Sequence, residues 1–432
     1  MISVFFLILI FLFIVLIGVP ISIAMGIATL SAMLIGGNLE HVYMIVRKMQ
    51  AGVESYTLLA VPFFLLAGNM LNKAGLTRRI FDFASALVGH IRGGLAQVNV
   101  LASMLMAGCS GSAVADAAGL GVVEVKAMTE RGYSRSYAAA ITAASATIGP
   151  IIPPSIGAII YAVIANVSVA RILLAGAIPG ILVGGCLMGM NVYFSYTTKS
   201  FPKPEKRASL SKIIKTAGKT FPALLVPLII IVGLTAGYTT ATEAGLIAAI
   251  YSLLISFIYN KPKQVLRMLP EVLLDTAMST ALIMYIIALA SSMGWVMAFE
   301  RAPALAAEAM LAITQNPIVF LFIVNIFLLL LGCILETIPA MLITLPVLLP
   351  IADKFGIDRI HFGVFTHINL LIGLVTPPMG LLLYIMVGVA NISFEEAVRA
   401  TLPFLIPLIA ALFLTTYVPW ISLFLPNLLM GG

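Results

Sequence analysis

Two clusters of small and polar residues interrupt otherwise apolar stretches. One is Gly108-Cys109-Ser110-Gly111-Ser112-Ala113, followed by Asp116; the other is Gly332-Cys333-Ile334-Leu335-Glu336-Thr337. Two further runs carry adjacent prolines: Gly149-Pro150-Ile151-Ile152-Pro153-Pro154-Ser155 and Gly373-Leu374-Val375-Thr376-Pro377-Pro378-Met379. Proline lacks the backbone N–H and clashes with the preceding turn, and it drives the residue before it out of the α region. A helix carrying such a run is therefore expected to unwind there. Freed carbonyls and the negative ends of half-helices attract a dehydrated cation, whereas free N–H groups and positive ends attract a carboxylate. Sodium, a hard cation, suits oxygen ligands without a full set of carboxylates. Ser110, Ser112, Ser155, Thr337 and Thr376 add hydroxyls to those backbone oxygens. The chemistry implied is ion binding.

The four runs stand in register. Gly108 and Gly332, Cys109 and Cys333, Gly132 and Gly356, Arg135 and Arg359, Gly149 and Gly373, and the two Pro-Pro pairs all fall 224 positions apart, without a gap across 47 residues. The match continues loosely through Tyr161 and Tyr384, then Asn166 and Asn391. Paired halves with interrupted hydrophobic segments point to a transporter built on repeats, with two equivalent cages, one per half. The offset does not say whether the repeats are parallel or inverted.

The elements that must position these residues are short. About a dozen mostly apolar residues flank each small-residue cluster, too few to span a bilayer, so each cluster reads as the tip of a re-entrant hairpin. Non-helical backbone at that depth survives only where protein or a water cavity covers it. The hairpins are placed at about 94–128 and 317–352 and the broken helices at about 136–166 and 360–391. They lie within halves of residues 1–200 and 219–432, joined by a basic linker over 201–218 that begins near Lys199.

Composition supplies the surroundings. Apolar types make up 61% of the 432 residues and charged types 9%, and the mean hydropathy is +1.13. Soluble domains carry about 25% charged residues; this chain cannot clothe a core in polar surface, and lipid is its solvent. Val4–Leu34, Ile172–Tyr193, Phe221–Thr235 continuing into Ala241–Ile258, and Phe404–Leu425 approach or exceed the roughly 20 residues of a crossing, with room for about ten to twelve crossings, partial ones included. The net charge of +7 sits mostly in short loops, densest at Lys199, Lys203, Lys206, Arg207, Lys212, Lys215 and Lys219. This reads as positive-inside topology with that cluster cytoplasmic, not as a nucleic-acid surface. Cys109, Cys186 and Cys333 have no metal-ligand spacing. The N-terminus, without a basic region or cleavage site, reads as a retained helix.

Other residues have plainer readings. Asp116 is an intramembrane acid, a functional candidate by default, and bracing of the hairpin backbone is favoured over direct contact with an anion it would repel. Thr240 and Glu243 have capping-box spacing. Arg135 and Arg359 read as interface anchors, His367 as a satisfied core histidine, and Cys109 and Cys333 as small packing residues. Gly108-Cys109-Ser110-Gly111-Ser112 falls short of a nucleophile elbow, and zinc-protease and phosphate-loop motifs are absent, so an enzyme is not expected. Polar positions gather at two paired points rather than in rings along a path, which disfavours a channel.

The run Gly108–Gly119, the Gly132-Tyr133 to Ala140 stretch, Ile148–Ser155, Thr240–Ala244 and Gly373–Met379 resemble the large membrane subunit of tripartite ATP-independent periplasmic (TRAP) transporters, over essentially the whole chain. The resemblance implies an all-α polytopic membrane protein with two inverted repeats, each with a re-entrant hairpin and a broken helix, working as an elevator-type secondary transporter. It implies sodium-coupled uptake of a small organic anion (sialic acid, another sugar acid or a C4-dicarboxylate) across the bacterial inner membrane. It also implies two partners, a small four-helix membrane subunit and a periplasmic substrate-binding protein. Two or more sodium ions and no organic cofactor are expected. Carried over by position, one sodium site would use Ser110, Gly149, Ile152 and Ser155, and the other Gly332, Thr337, Gly373, Thr376 and Met379. The substrate would lie between the tips near Ser112, Asp116 and Thr337. Pro153, Pro154, Pro377, Pro378 and Glu243 would be structural. Ile152 faces Thr376 across the repeat and Ser155 faces Met379, so the cages are not chemically identical.

Overall fold

The computed structural model describes residues 2–198 and 201–431, and the described residues form helices without a strand. Glycine and proline set the helix ends from the start. The apolar run Val4–Leu34 is cut into α1 (Ile2–Leu16) and α2 (Ile21–Ile35), because Gly18 takes a φ of 89° that other residues rarely adopt and Pro20 stands at the α2 N-cap. α3 (Tyr43–Val53) and α4 (Ala60–Lys73) meet through a 3-10 turn at Tyr56–Leu59 and bend by 58°. α5 (Leu76–Val88) precedes the first paired helices, α6 (Leu95–Ser110) and α7 (Ala113–Glu130). The first broken helix is α8 (Arg135–Ala146) and α9 (Ile156–Ala165), and α10 (Val169–Thr197) closes the first half.

Residues 201–209 carry no regular secondary structure, and α11 (Leu210–Thr235) starts inside the interval expected as linker, where the Ser209 hydroxyl accepts from the Lys212 N–H. Lys199 lies outside the described residues. The irregular segment is tied down: the Arg131 guanidinium pairs with Glu205 at 3.0 Å, the Ser85 hydroxyl donates to Glu205 at 3.2 Å, and the Glu205 N–H donates to the Gly89 carbonyl. α12 (Ala241–Tyr259) opens on a capping box, in which the Glu243 carboxylate accepts from the Thr240 N–H at 2.7 Å and the Thr240 hydroxyl accepts from the Glu243 N–H at 3.3 Å. α13 (Pro262–Phe299) and α14 (Ala302–Ile313) lead to the second pair, α15 (Pro317–Gly332) and α16 (Thr337–Lys354). The second broken helix is α17 (Arg359–Gly373) and α18 (Leu381–Ala390); α19 (Phe394–Tyr417) and α20 (Pro419–Met430) complete the chain.

Among the described residues, six helices (α10, α11, α12, α13, α16 and α19) are long and apolar enough to cross a membrane, and α3 with α4 makes a seventh as a bent pair. The remaining apolar helices are shorter, α6, α9, α15 and α18 among them. Against the ten to twelve crossings, partial ones included, expected from composition, six or seven described segments reach spanning length and the rest are short; α16, an arm of the second hairpin, is among the long ones, so the expectation that each arm is too short to span does not hold for it. Composition counts apolar residues but does not see where glycine and proline cut them.

Packing separates a framework from a paired core. α4 lies on α12, α13 runs along α2, α3 and α4, and α11 joins α5 and α12. In the core, α6 and α7 pack on α8, and α15 and α16 pack on α17. Each pair also reaches across: α7 packs on α18, and α16 packs on α9.

Candidate cation and anion binding site

At the first tip, α6 stops because Gly111 takes a φ of 60°. The same glycine allows a close approach, since a Cβ there would stand 2.9 Å from the Pro154 carbonyl oxygen. The tip is thus seated on the Pro-Pro loop. Ser112 caps α7, its hydroxyl accepting from the Ala115 N–H at 3.3 Å, and the Ser110 hydroxyl accepts from the Ser112 N–H at 3.5 Å. Across from it, the Ile151 and Ile152 N–H groups close turns onto the Ile148 carbonyl, the Pro153–Pro154 peptide is cis, and the Ser155 hydroxyl caps α9 by accepting from the Ala158 N–H at 3.1 Å. The carbonyls of Ser110, Gly149 and Ile152 accept no backbone hydrogen bond among the described residues.

Asp116 is 2% exposed, and neither carboxyl oxygen has a hydrogen-bond partner. The carboxyl lies against Gly149, where Oδ2 occupies the place a Cβ would need, and the Ser110 side chain is its polar neighbour. The bracing role favoured from sequence needs hydrogen bonds to the hairpin backbone, and none is made. The carboxyl is instead presented to the broken helix. An unpaired carboxyl in such surroundings is costly unless a cation or a proton joins it.

The second site is built on a tighter contact. The backbone of Gly332, at the end of α15, rests on that of Gly373, at the end of α17; a Cβ on Gly332 would stand 3.1 Å from the Gly373 Cα. The Gly380 N–H reaches the Cys333 carbonyl at 3.4 Å. The Thr337 hydroxyl is buried and without a partner, while the Thr376 hydroxyl donates to the Ile372 carbonyl at 2.8 Å and keeps lone pairs free. The Pro377–Pro378 peptide is also cis. The carbonyls of Gly332, Thr376 and Met379 accept no backbone hydrogen bond among the described residues, and that of Gly373 accepts from the Thr376 N–H. The Met379 side chain is 37% exposed, so only its carbonyl can serve the site.

Each candidate set is therefore gathered at a tip seated on a loop: Ser110, Ser112, Asp116, Gly149, Ile152 and Ser155 at the first, and Gly332, Thr337, Gly373, Thr376 and Met379 at the second. Glu243 stands apart on the framework. The available donors are carbonyl, hydroxyl and carboxyl oxygens, and among the described residues no three His, Cys, Asp or Glu side chains converge. That set suits a hard cation of low charge rather than a transition metal. The acid stands at different places in the two tips: Ala340 lies 224 positions after Asp116, whereas Glu336, the N-cap of α16, lies 224 positions after Ser112.

Sequence reasoning passed over a buried polar network beside the first site. The Asn99 amide donates to Glu124 at 2.8 Å and to Thr142 at 2.7 Å; the Ser145 hydroxyl donates to the Asn99 side-chain oxygen at 2.7 Å, and the Ser103 hydroxyl donates to Ser145 at 3.0 Å. These bonds tie α6 directly to α8 and, through Asn99, to Glu124 on α7. In the second half the Asn369 amide donates to Asn325 at 2.8 Å. The signal was present: Glu124 is an acid within an apolar helix, which marks a residue for attention.

Two unwound helices, each facing a hairpin tip inside an all-helical membrane-spanning scaffold, define a polytopic membrane transport protein and not an enzyme. The chain belongs to the tripartite ATP-independent periplasmic transporter family, whose DctM-component model matches residues 7–421. It is 41% identical over 415 residues to the sialic acid TRAP transporter large permease protein SiaM of Vibrio cholerae, covering 96% of each chain. It is 40% identical to the C4-dicarboxylate TRAP transporter large permease protein DctM of Pseudomonas aeruginosa, covering 87% of each. The fold is shared with the YdaH transporter of Alcanivorax borkumensis, with a TM-score of 0.63 at 15% identity over 98% of this chain and 99% of that one. The protein is accordingly a multi-pass component of the inner membrane.

Proposed function

We propose that this chain imports a small organic anion (a sialic acid, another sugar acid or a C4-dicarboxylate) coupled to the entry of at least two sodium ions. It does so as the transport subunit of a tripartite system with a small four-helix membrane subunit and a periplasmic substrate-binding protein. The observation that carries the reading is the pairing of each hairpin tip with an unwound Pro-Pro loop in which the carbonyls of Gly149 and Ile152, or of Thr376 and Met379, accept no backbone hydrogen bond among the described residues. The relatives named for sialic acid and C4-dicarboxylates support the substrate class.

In this mechanism the binding protein delivers its anion to the space between the tips, near Ser112 and Thr337. Sodium enters the first site against the carbonyls of Ser110, Gly149 and Ile152, where the Asp116 carboxylate supplies the negative charge. A second sodium enters against the carbonyls of Gly332, Thr376 and Met379 with the Thr337 hydroxyl. Ser155, whose hydroxyl caps α9, and Gly373, which lets the second tip approach, shape the cages. Each bound cation offsets the negative helix ends and lets an anion approach. The crosswise contacts of α7 with α18 and α16 with α9 support two inverted repeats moving as one unit. That unit shifts across the framework of α4, α12 and α13 and opens to the cytoplasm.

The test is uptake into proteoliposomes holding the chain and its small subunit, supplied with binding protein preloaded with labelled acids. Uptake that requires both an inward sodium gradient and the binding protein is the expected result. Sodium-dependent uptake without binding protein would make the chain a stand-alone carrier, and uptake indifferent to sodium would remove the coupling ion.

A further inference from the structure

One side chain touches elements of both cages and belongs to neither. His367 lies on α17, two turns before Gly373 of the second site, and is buried. Its Nε2 stands 3.1 Å from the Pro150 carbonyl oxygen, in the loop between Gly149 and Ile152 of the first site. A carbonyl only accepts, so Nε2 carries the proton and donates. Nδ1 then faces the Met341 sulfur at 3.5 Å. Met341 is on α16, one helical turn after Thr337 at the second tip. The flat ring also fills the space over Gly157 on α9, where a Cβ would strike it. Beside it lies a cavity of about 20 Å³ lined in part by Pro150, Ala158, Tyr161 and Gly363, which leaves no wide gap between the two broken helices.

We propose that His367 is a positioning residue that couples the two sodium sites, resting on the sodium-coupled reading above. The physical argument is one of stiffness. α17 is a continuous helix from His367 to Gly373, and Gly373 is in backbone contact with Gly332. Ordering the second cage fixes the end of α17 and, through Met341, the start of α16. Both fix the imidazole, which in turn holds the Pro150 carbonyl and with it the curvature of the Gly149–Ile152 segment. A filled second site thus presents the first with carbonyls already aimed, and the reverse holds with equal strength, because coupling between binding sites is reciprocal. The link is a hydrogen bond with a neutral ring and needs no change of protonation.

The measurement is equilibrium binding of ²²Na⁺ to the full chain in lipid nanodiscs, at constant ionic strength with choline as the replacing cation. The wild type is expected to bind with a Hill coefficient well above 1. His367→Phe keeps a flat ring but no donor; it should lower the coefficient to about 1 and raise half-saturation by about 5-fold or more, the lower end of ordinary coupling. His367→Gln, which retains an N–H donor, should recover part of the cooperativity. Gly157→Ala displaces the ring from the other side and should reproduce the loss, which keeps the test available if His367→Phe fails to fold. A residue that merely fills space would change the unfolding temperature and leave the Hill coefficient alone. Cooperative binding preserved in both His367→Phe and Gly157→Ala would overturn the coupling role while leaving sodium binding intact. Non-cooperative binding by the wild type would overturn it too, and no sodium binding at all would remove the sodium reading with it.

Discussion

Replacing Gly373 by alanine probes the contact on which the second site is built. Two effects oppose each other. Gly373 has an ordinary negative φ and closes a helix, so alanine should stabilise the helix by about 0.5–1 kcal/mol. Against this, the added Cβ meets the backbone of Gly332 at its carbonyl carbon, Cα and oxygen, the oxygen at 2.7 Å. Ordinary contact begins at 3.4 Å and the Gly332 Cα would stand at 2.5 Å, so α15 and α17 must part by at least about 0.9 Å, and backbone cannot swing aside as a flexible side chain would. Overpacking of this kind costs about 1–3 kcal/mol. The steric term wins, leaving a net loss of about 1–2 kcal/mol. Gly388→Ala isolates the favourable term, because it lies inside α18 with nothing within 4 Å of its Cβ position, and it should gain about 0.5–1 kcal/mol. Thermal unfolding of the two variants in one detergent should therefore shift in opposite directions, and Gly373→Ala should also require more sodium for uptake. A Gly373→Ala variant as stable as Gly388→Ala would refute the backbone contact.

Thr337→Val removes a buried hydroxyl that has no hydrogen-bond partner, so stability should change by less than about 0.5 kcal/mol while the sodium needed for half-maximal uptake rises several-fold, roughly the loss of one ligand of about 1 kcal/mol. Thr376→Ala should also raise the sodium requirement, and an unchanged sodium titration would count against the second cage. Asn99→Ala strips Glu124, Thr142 and Ser145 of a shared partner and should destabilise the protein by about 2–3 kcal/mol in an unfolding titration. Glu205→Ala releases the irregular segment from Arg131 and Ser85, and limited proteolysis should then cut within residues 201–209 faster than in the wild type.

The places where helices break were legible in the sequence because proline and glycine act locally. Pro153, Pro154, Pro377 and Pro378 remove donors wherever they stand, and the 224-residue register marked them as paired. Long-range facts were not legible. That Asp116 faces Gly149, while the matching glycine faces Gly332, depends on how separate helices dock. The Asn99 network joins α6, α7 and α8 through residues 25 to 46 positions apart that share no local pattern. His367 read as an ordinary core histidine because nothing near it in the chain shows that Pro150, 217 positions away, is its partner. The length of the apolar run Val4–Leu34 suggested one long segment, and only the weight given to Gly18 and Pro20 would have divided it.

The crosswise packing of the two halves bears on how the protein is made. α7 and α9 leave the ribosome before the basic segment, whereas their partners α18 and α16 leave well after it. During translation the first half must wait in the bilayer with surfaces that only later helices cover, and the Pro150 carbonyl waits with them for the imidazole of His367. Neither half encloses its own interior, so neither should persist alone as a stable product. What unites them is packing rather than the peptide link, so a gene split within codons 201–209 should still yield working protein when both fragments are synthesised together, and nothing when one is withheld.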